Sequence, residues 1–300
     1  MEKNKRRRYR LSDETAECLG LQLNKNRRYR LSVSQELEFV NGKSGPRILI
    51  YDIETSRMLA KTWWTGKQYV GSNQVVREPK IITIAWKWFG TDEVKYVSWD
   101  KNHDDKELLK KFLHEYNRAD LVIGQNNDKF DNRWINARAL KHRLDVNMLV
   151  RSLDLMKQAK KHFRLPGYSM KFMTEFMGVE TKMEHEGIKM WDMIEDGTKE
   201  EQAEYMQKMI DYNVQDIVAT EQMYLMFRKY IGTVTHLGMF SGGDKSDCPS
   251  CASDDVEHRR VTYTAAGTLQ HIMRCKDCGT EYKVSNRTYL NFLESERIYE

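Results

Sequence analysis

The chain has 300 residues, 40% of them hydrophobic and 31% charged, with a formal net charge of +5. That length supports a full hydrophobic core without staples. The apolar runs, such as Ile81 to Trp88, are broken by Thr83 and Lys87 and fall far short of the ~20 residues that span a bilayer, so a helical membrane protein is excluded.

The N-terminus is basic. Residues 1–30 carry ten Lys or Arg against four acids, leaving the other 270 residues at −1. No apolar segment follows Arg6, Arg7 and Arg8 as a secretory signal would require, so a cytoplasmic protein is expected. The basicity is an attached device: Arg7-Arg8-Tyr9-Arg10-Leu11-Ser12 recurs as Arg27-Arg28-Tyr29-Arg30-Leu31-Ser32. Two copies are too few for a solenoid. The arginines suit phosphates and the tyrosines suit base stacking, although a solvated arm has the same composition. Ser32 with Gln35 has capping-box spacing, Cys18 reads as an ordinary thiol, and residues 41–46 read as a linker.

Residues 46–232 begin with β-type runs at Arg47 to Ile53, Lys80 to Phe89 and Val94 to Trp99. A helical pattern runs from Asp104 and Asp105 through Asn117, followed by a short buried strand at Leu121 to Ile123. Lys129 to Leu144 is helical again, with Phe130, Trp134, Ala137 and Leu144 on one stripe. A strand near Val150, a helix from Leu155 and a long helix from about Lys199 to Tyr230 complete the order. Three strands, then helix, strand, helix, strand and helix, is the order of an RNase H-like α/β domain, a mixed sheet flanked by helices. Fold alone does not give function.

In the first strand, side-chain alternation sends Asp52 and Glu54 to one face and Tyr51 and Ile53 to the other. Burying two like charges is costly unless a cation neutralises them, and Mg²⁺ or Mn²⁺ is the natural candidate for oxygen ligands. On the long helix, Met206, Ile210, Val214 and Ile217 are the expected core stripe. Asp216 then lies roughly 130° from its centre, with Tyr212 one turn before it on the same face. Asp131 falls in the first turn of its helix, after Gly124-Gln125-Asn126-Asn127-Asp128-Lys129-Phe130.

Asp-x-Glu at Asp52 and Glu54, Asn-x-x-x-Phe-Asp ending at Asp131, and Tyr-x-x-x-Asp at Tyr212 and Asp216 resemble, in order and interval, the three motifs of DEDDy exonucleases. That family includes the proofreading domains of family B DNA polymerases. The chain is also similar to stand-alone bacteriophage nucleases in which a stretch like Asp52-Ile53-Glu54-Thr55-Ser56 opens the domain and a zinc ribbon follows it.

The resemblance covers about Arg47 to Ile231. It implies two-metal 3′→5′ hydrolysis of phosphodiester bonds, DNA before RNA, in phage replication, repair or degradation. Replication or recombination proteins are the implied partners, and the host cytoplasm the implied place. Asp52, Glu54, Asp131 and Asp216 would hold two Mg²⁺ or Mn²⁺, one activating water and the other stabilising the leaving 3′ oxygen. Tyr212 would orient the water. Thr55, Asn126 and Phe130 would meet the nucleic acid, and the Trp63-Trp64 loop could stack on a base, local packing being as good an account of it. Asp154 reads as an N-cap, and Lys182 and His185 carry the weakest case for a role.

After Ser241-Gly242-Gly243, residues 242–300 hold Cys248-Pro249-Ser250-Cys251 and Cys275-Lys276-Asp277-Cys278, two Cys-x-x-Cys pairs 23 residues apart. Without a signal peptide such pairs point to metal rather than disulfides. Strands at Arg259 to Tyr263 and Leu269 to Met273 around Ala265-Ala266-Gly267 give the look of a small zinc ribbon with one structural Zn²⁺. Arg259, Arg260 and Arg274 lean weakly toward nucleic acid. Two other readings stand beside the exonuclease. One is a structure-specific endonuclease or ribonuclease on the same fold, because two-metal chemistry is indifferent to which phosphodiester is cut. The other is a non-catalytic nucleic-acid-binding adaptor, against which all four carboxylates argue.

Overall fold

The computed structural model describes residues 46–179, 186–233 and 235–297, with the backbone of two paired two-residue strands, Gln22–Leu23 and Tyr29–Arg30. The side chains of the Arg/Tyr repeat, the Ser32 cap and Cys18, together with Lys182 and His185, lie outside the described residues. Contacts divide the chain into two units, one of them Ile48–Met226.

In that unit the elements are β1 (Ile48–Thr55), β2 (Leu59–Ala60), β3 (Val75–Arg77), β4 (Ile81–Trp88), β5 (Lys95–Ser98), α1 (Lys106–Tyr116), β6 (Leu121–Gly124), α2 (Asp131–His142), β7 (Arg151–Asp154), α3 (Leu155–His162), α4 (Met170–Met177), α5 (Ile188–Asp196) and α6 (Lys199–Phe227). The main sheet has the order β5-β4-β1-β6-β7. β5, β4 and β1 pair antiparallel, while β1, β6 and β7 run parallel. The strand and helix order expected from the sequence is therefore present, and β1 is its central strand. β2 and β3 form a separate hairpin. That hairpin and the helices α4 and α5 were not anticipated.

β1 is buried on both sides at its start because neighbours cover it on each face. Leu49, Tyr51 and Ile53 join Ile82, Ile84, Trp86, Leu109, Phe112 and Ile135 in one core, each large side chain contributing about 1.5–3 kcal/mol of burial. The α6 helix starts in a reciprocal cap. Thr198 N–H donates to Glu201 Oε2 at 2.8 Å and Glu201 N–H to Thr198 Oγ1 at 3.3 Å, satisfying two otherwise orphaned donors. Among the described residues no helix is long and apolar enough to cross a membrane.

Two helix faces differ from expectation. On α2 the buried residues are Asp131, Ile135, Arg138 and Ala139, while Ala137 is exposed, Phe130 is 39% exposed, and Trp134 and Leu144 are only partly buried. The helix turns Asp131 and Arg138 inward because each finds a polar partner there, so an apolar stripe misplaces the face. On α6 the buried set is Tyr205, Met209, Ile210, Asn213, Ile217, Ala219, Thr220, Met223, Tyr224 and Phe227, with Met206 and Val214 only partly buried. At 100° per residue Asp216 lies roughly 30° from the centre of that face, not 130°.

The Arg138 partner is a buried ion pair that ties α1, α2 and β4 together. Arg138 donates to Asp105 from Nε at 2.6 Å and Nη2 at 2.7 Å. Asp105, with no exposed surface, also accepts Ile81 N–H at 3.0 Å and lies 2.7 Å from His142 Nε2. Glu78 bridges Arg138 at 3.1 Å and contacts Lys141. Burial raises the Asp105 pKa, but Arg138, the Ile81 amide and His142 outweigh it and hold the carboxyl below its usual value. Removing one partner strands the other's charge. Arg138→Met is therefore expected to destabilise the protein by about 3–5 kcal/mol, read from the urea midpoint, and a loss within error of zero would refute the buried pair's role.

The C-terminal residues form α7 (Leu237–Phe240), β8 (Val256–Tyr263), β9 (Leu269–Cys275), β10 (Glu281–Ser285) and α8 (Asn286–Arg297). β8, β9 and β10 make an antiparallel sheet, with Gly267 at φ 80° in the turn between the first two. Its core is small: Val256, Met273, Val284, Cys248 and Cys275, with Tyr282, Tyr289 and Phe292 against them. Two of the strands were expected; β10 and α8 were not.

Candidate metal centres

Asp52 and Glu54 leave the same face of β1, opposite Tyr51 and Ile53, as alternation requires. Across the antiparallel partner they stand against Ala85 and Thr83, and the ladder shifts register between Glu54 and Thr55. Such an irregularity re-aims the strand end. β6 pairs with β1 only as far as Ile50 and Ile123. Beyond that point the Ile53 N–H donates to Asp131 Oδ1 at 3.1 Å, so the third carboxylate is fixed between the first two by the backbone of β1 itself.

The loop from β6 to α2 is built for that approach. A Cβ on Gly124 would lie 2.8 Å from Asn127 Cβ and 3.2 Å from Tyr51 O, so only glycine fits there. Asn126 adopts φ 63°, a conformation asparagine tolerates, and its N–H donates to Asp154 Oδ1 at 3.1 Å. The same oxygen accepts Lys157 N–H at 3.0 Å. Asp154 is thus the N-cap of α3, as expected, and in addition pins the Asn126 turn.

α6 supplies the fourth carboxylate, Asp216, to which Tyr212 one turn earlier donates from its phenol. Between them Asn213, fully buried, donates from Nδ2 to Asp52 Oδ2 at 2.7 Å. Asn213 was missed in the sequence. Its signal was helix phase, since it shares the face of Met209 and Ile217 while being polar. Lys87 anchors the same helix, its Nζ lying 2.5 Å from Glu221 Oε2.

All four carboxylates are raised, two of them by the others. Burial raises the Asp52 pKa well above its ordinary value, and Asp131, Asp216 and Glu54 raise it further against the Asn213 hydrogen bond. Burial with Asp216 and Asp131 lifts Glu54 to about 8. Burial lifts Asp131 to about 7 and Asp216 to about 6. Tyr212 is pushed above its usual range by burial and by Asp216, so it remains a neutral donor. No three of these acids offer oxygens all within 4.8 Å of one another, a spread wider than the compact shell of a single small cation.

These shifts set a pH dependence for the metal-free protein. A carboxyl with a raised folded pKa binds its proton more tightly folded than unfolded. Its contribution to stability is complete below about pH 4 and is lost as pH rises through the folded values. In EDTA the thermal midpoint is expected to fall as pH climbs through 6, 7 and 8, and Mn²⁺ added at the upper end should restore it. A midpoint indifferent to both pH and Mn²⁺ would contradict the clustering.

The four cysteines form a second cluster, every Sγ within 4.8 Å of the others. Cys248 and Cys278 are 3.5 Å apart and Cys251 and Cys275 3.6 Å. These distances exceed the ~2.05 Å of a disulfide and approach the edge of a tetrahedron with ~2.3 Å metal–sulfur bonds. Ser250 N–H donates to Cys248 Sγ at 3.4 Å, the kind of contact that stabilises a thiolate ligand. The donor set therefore fits a closed tetrahedral metal. Asp104, Asp105 and His142 also come together, but Asp105 is committed to Arg138.

Of the other residues singled out, Thr55 accepts Trp191 Nε1–H on its carbonyl at 2.9 Å, beside Glu54. Phe130 is partly exposed and its ring lies 6.2 Å from that of Trp134. The side chains of Arg7, Arg8, Tyr9, Arg10, Arg27, Arg28, Tyr29 and Arg30 lie outside the described residues.

A family model described as the RNase H superfamily matches residues 75–227, just over half of the chain. The match includes Asp131, Tyr212 and Asp216 and begins after Asp52 and Glu54. No curated protein matches the sequence. Among solved structures, a family B DNA polymerase from the hyperthermophilic archaeon Pyrobaculum calidifontis is similar at 13% identity and a TM-score of 0.44, over 62% of this chain. The chain spans about a quarter of that polymerase, 25% of its length.

Proposed function

We propose a two-metal 3′→5′ exonuclease: the chain belongs to the RNase H superfamily, whose fold implies a nuclease, and its acids are arranged for that chemistry. The observation that carries the reading is the meeting of Asp52, Glu54, Asp131 and Asp216 at one end of the central strand, each raised in pKa by burial, and Asp52 and Glu54 further by repulsion from the other acids of the group. A cluster of this kind asks for cations, and hard oxygen ligands favour Mg²⁺ or Mn²⁺. Bound there, divalent cations supply Lewis acidity and lower the pKa of water.

The protein's own groups do the rest. Asn213 orients Asp52, and the Ile53 amide orients Asp131. Tyr212, neutral and donating its one proton to Asp216, keeps oxygen lone pairs that can accept from and align a water and is not a base able to deprotonate one. No histidine stands at 211 or 212, which favours the DEDDy subtype over its histidine-bearing sister. Thr55, Asn126 and Phe130 border this end of the sheet and would meet a nucleotide. The cysteine quartet would hold one structural Zn²⁺ in a zinc ribbon. DNA is the preferred substrate by resemblance to polymerase proofreading domains and to stand-alone phage nucleases.

The test uses 5′- and 3′-labelled single-stranded DNA, duplex DNA and RNA oligonucleotides with Mg²⁺, Mn²⁺ or EDTA. A 5′-labelled ladder that shortens stepwise, together with immediate release of a 3′ label, is expected with metal and absent with EDTA. Internal cuts without a ladder would replace exonuclease with endonuclease, and no metal-dependent cleavage would end the reading.

A further inference from the structure

The segment between Arg57 and Arg77 leaves the sheet beside the acids and returns to the same place. Its ends close on each other at Ser56 and Lys80, where Ser56 N–H donates to Lys80 O and Lys80 N–H to Ser56 Oγ, both at 2.8 Å. Ser56 is two residues from Glu54. β2 and β3 pair along the stem. The root is also clamped to α5: Glu195 accepts Arg57 N–H at 2.8 Å and Arg77 Nη2 at 3.1 Å, while Arg57 reaches Asp192 at 2.7 Å and Arg77 reaches Asp196 at 3.0 Å.

The stem is therefore held, and the far part is unusual. Trp63 is 88% exposed, Trp64 64% and Tyr69 92%. Single exposed apolar side chains are ordinary; three large rings within seven residues are not. Residues 57–77 hold Arg57, Lys61, Lys67 and Arg77 and no acid at all. With both arginines engaged by α5, Lys61 and Lys67 are the exposed cations beside the rings.

We propose that this arm, Trp63, Trp64 and Tyr69 with Lys61 and Lys67, is a platform for single-stranded nucleic acid. Unpaired bases offer π-faces to the rings and phosphates meet the lysines. A duplex hides its base faces and would engage the lysines alone. The inference rests on the nuclease reading for its occupant, since an acid-free aromatic arm rooted beside the carboxylates matches a polyanion with exposed bases.

The experiment is a binding titration of the full chain in EDTA, so that hydrolysis plays no part, with fluorescently labelled single-stranded and duplex DNA. Parent protein should bind the single strand with quenching of tryptophan fluorescence. W63A/W64A should weaken that binding about tenfold or more and leave the weaker duplex binding nearly unchanged, with circular dichroism verifying the fold. K61E/K67E, which spares the rings, should weaken binding to both forms and flatten the salt dependence. Unchanged single-strand affinity in W63A/W64A would overturn the proposal. So would concentration-dependent self-association lost in that variant without a change in DNA affinity, which would make the occupant a second copy. Hydrolysis of bis(p-nitrophenyl) phosphate with Mn²⁺, which needs no platform, tests the metal site separately. Its absence beside arm-dependent binding would sink the nuclease reading and leave the platform standing.

Discussion

Asp52→Asn is expected to lower metal-dependent phosphodiester hydrolysis by about a thousandfold or more and, in the same protein, to raise the thermal midpoint measured in EDTA. The first effect follows from charge. Asp52 is central to the acid cluster, perturbed by Asp131, Asp216 and Glu54 together, and a neutral amide there weakens whatever cation the cluster holds. Metal stabilisation of a phosphoryl transition state is worth several kcal/mol, and each 1.36 kcal/mol is tenfold in rate. The second effect follows from the same repulsion. Without cations, ionising these crowded and largely desolvated carboxylates opposes folding, so deleting one relieves strain that function requires. Initial rates with Mn²⁺ and melting curves with and without metal read both. A variant that hydrolyses as fast as the parent would remove Asp52 from the site. Loss of activity with a collapsed midpoint would show a structural role instead.

How much of this was legible depends on what determines each residue's direction. Asp52 and Glu54 could be placed because a strand has period two and Tyr51 and Ile53 are unambiguous core residues. Asp131 could be placed in its helix's first turn, but not its Ile53 partner, because that contact exists only where β6 stops short along β1. Asp216 was turned the wrong way because α6 buries Asn213 and Thr220, and polar residues on a buried face are invisible to a hydrophobicity stripe. Arg138 misled in the same manner on α2. The root of the aromatic arm depends on Glu195, buried at 4% exposure, whose two arginine partners lie more than a hundred residues away in sequence. Nothing local signals that pairing. In the cysteine segment the ligand spacing was plain, whereas β10, five residues long, was too short to announce itself and the twelve-residue α8 went unread.

Cys275→Ser, or removal of metal by a strong chelator, is expected to unfold the C-terminal sheet while the strands of the Ile48–Met226 unit keep their protection from hydrogen exchange. The apolar residues holding β8, β9 and β10 are few, chiefly Val256, Met273 and Val284, and two further members of that core are the cysteines Cys248 and Cys275 themselves. A core of that size does not offset the ordering of some sixty residues at about 1.5 kcal/mol each. Zinc on four thiolates contributes about 10–16 kcal/mol in small structural sites, which is enough to decide whether the segment folds. If the quartet holds zinc, the metal's binding energy is this segment's folding energy, and the two are expected to be lost together. Elemental analysis of the purified protein should return one zinc per chain, and amide exchange along Val256–Tyr263 and Leu269–Cys275 should rise to the unfolded rate on chelation. Protection retained by those strands after the zinc has left would show that the four cysteines are packed rather than ligated.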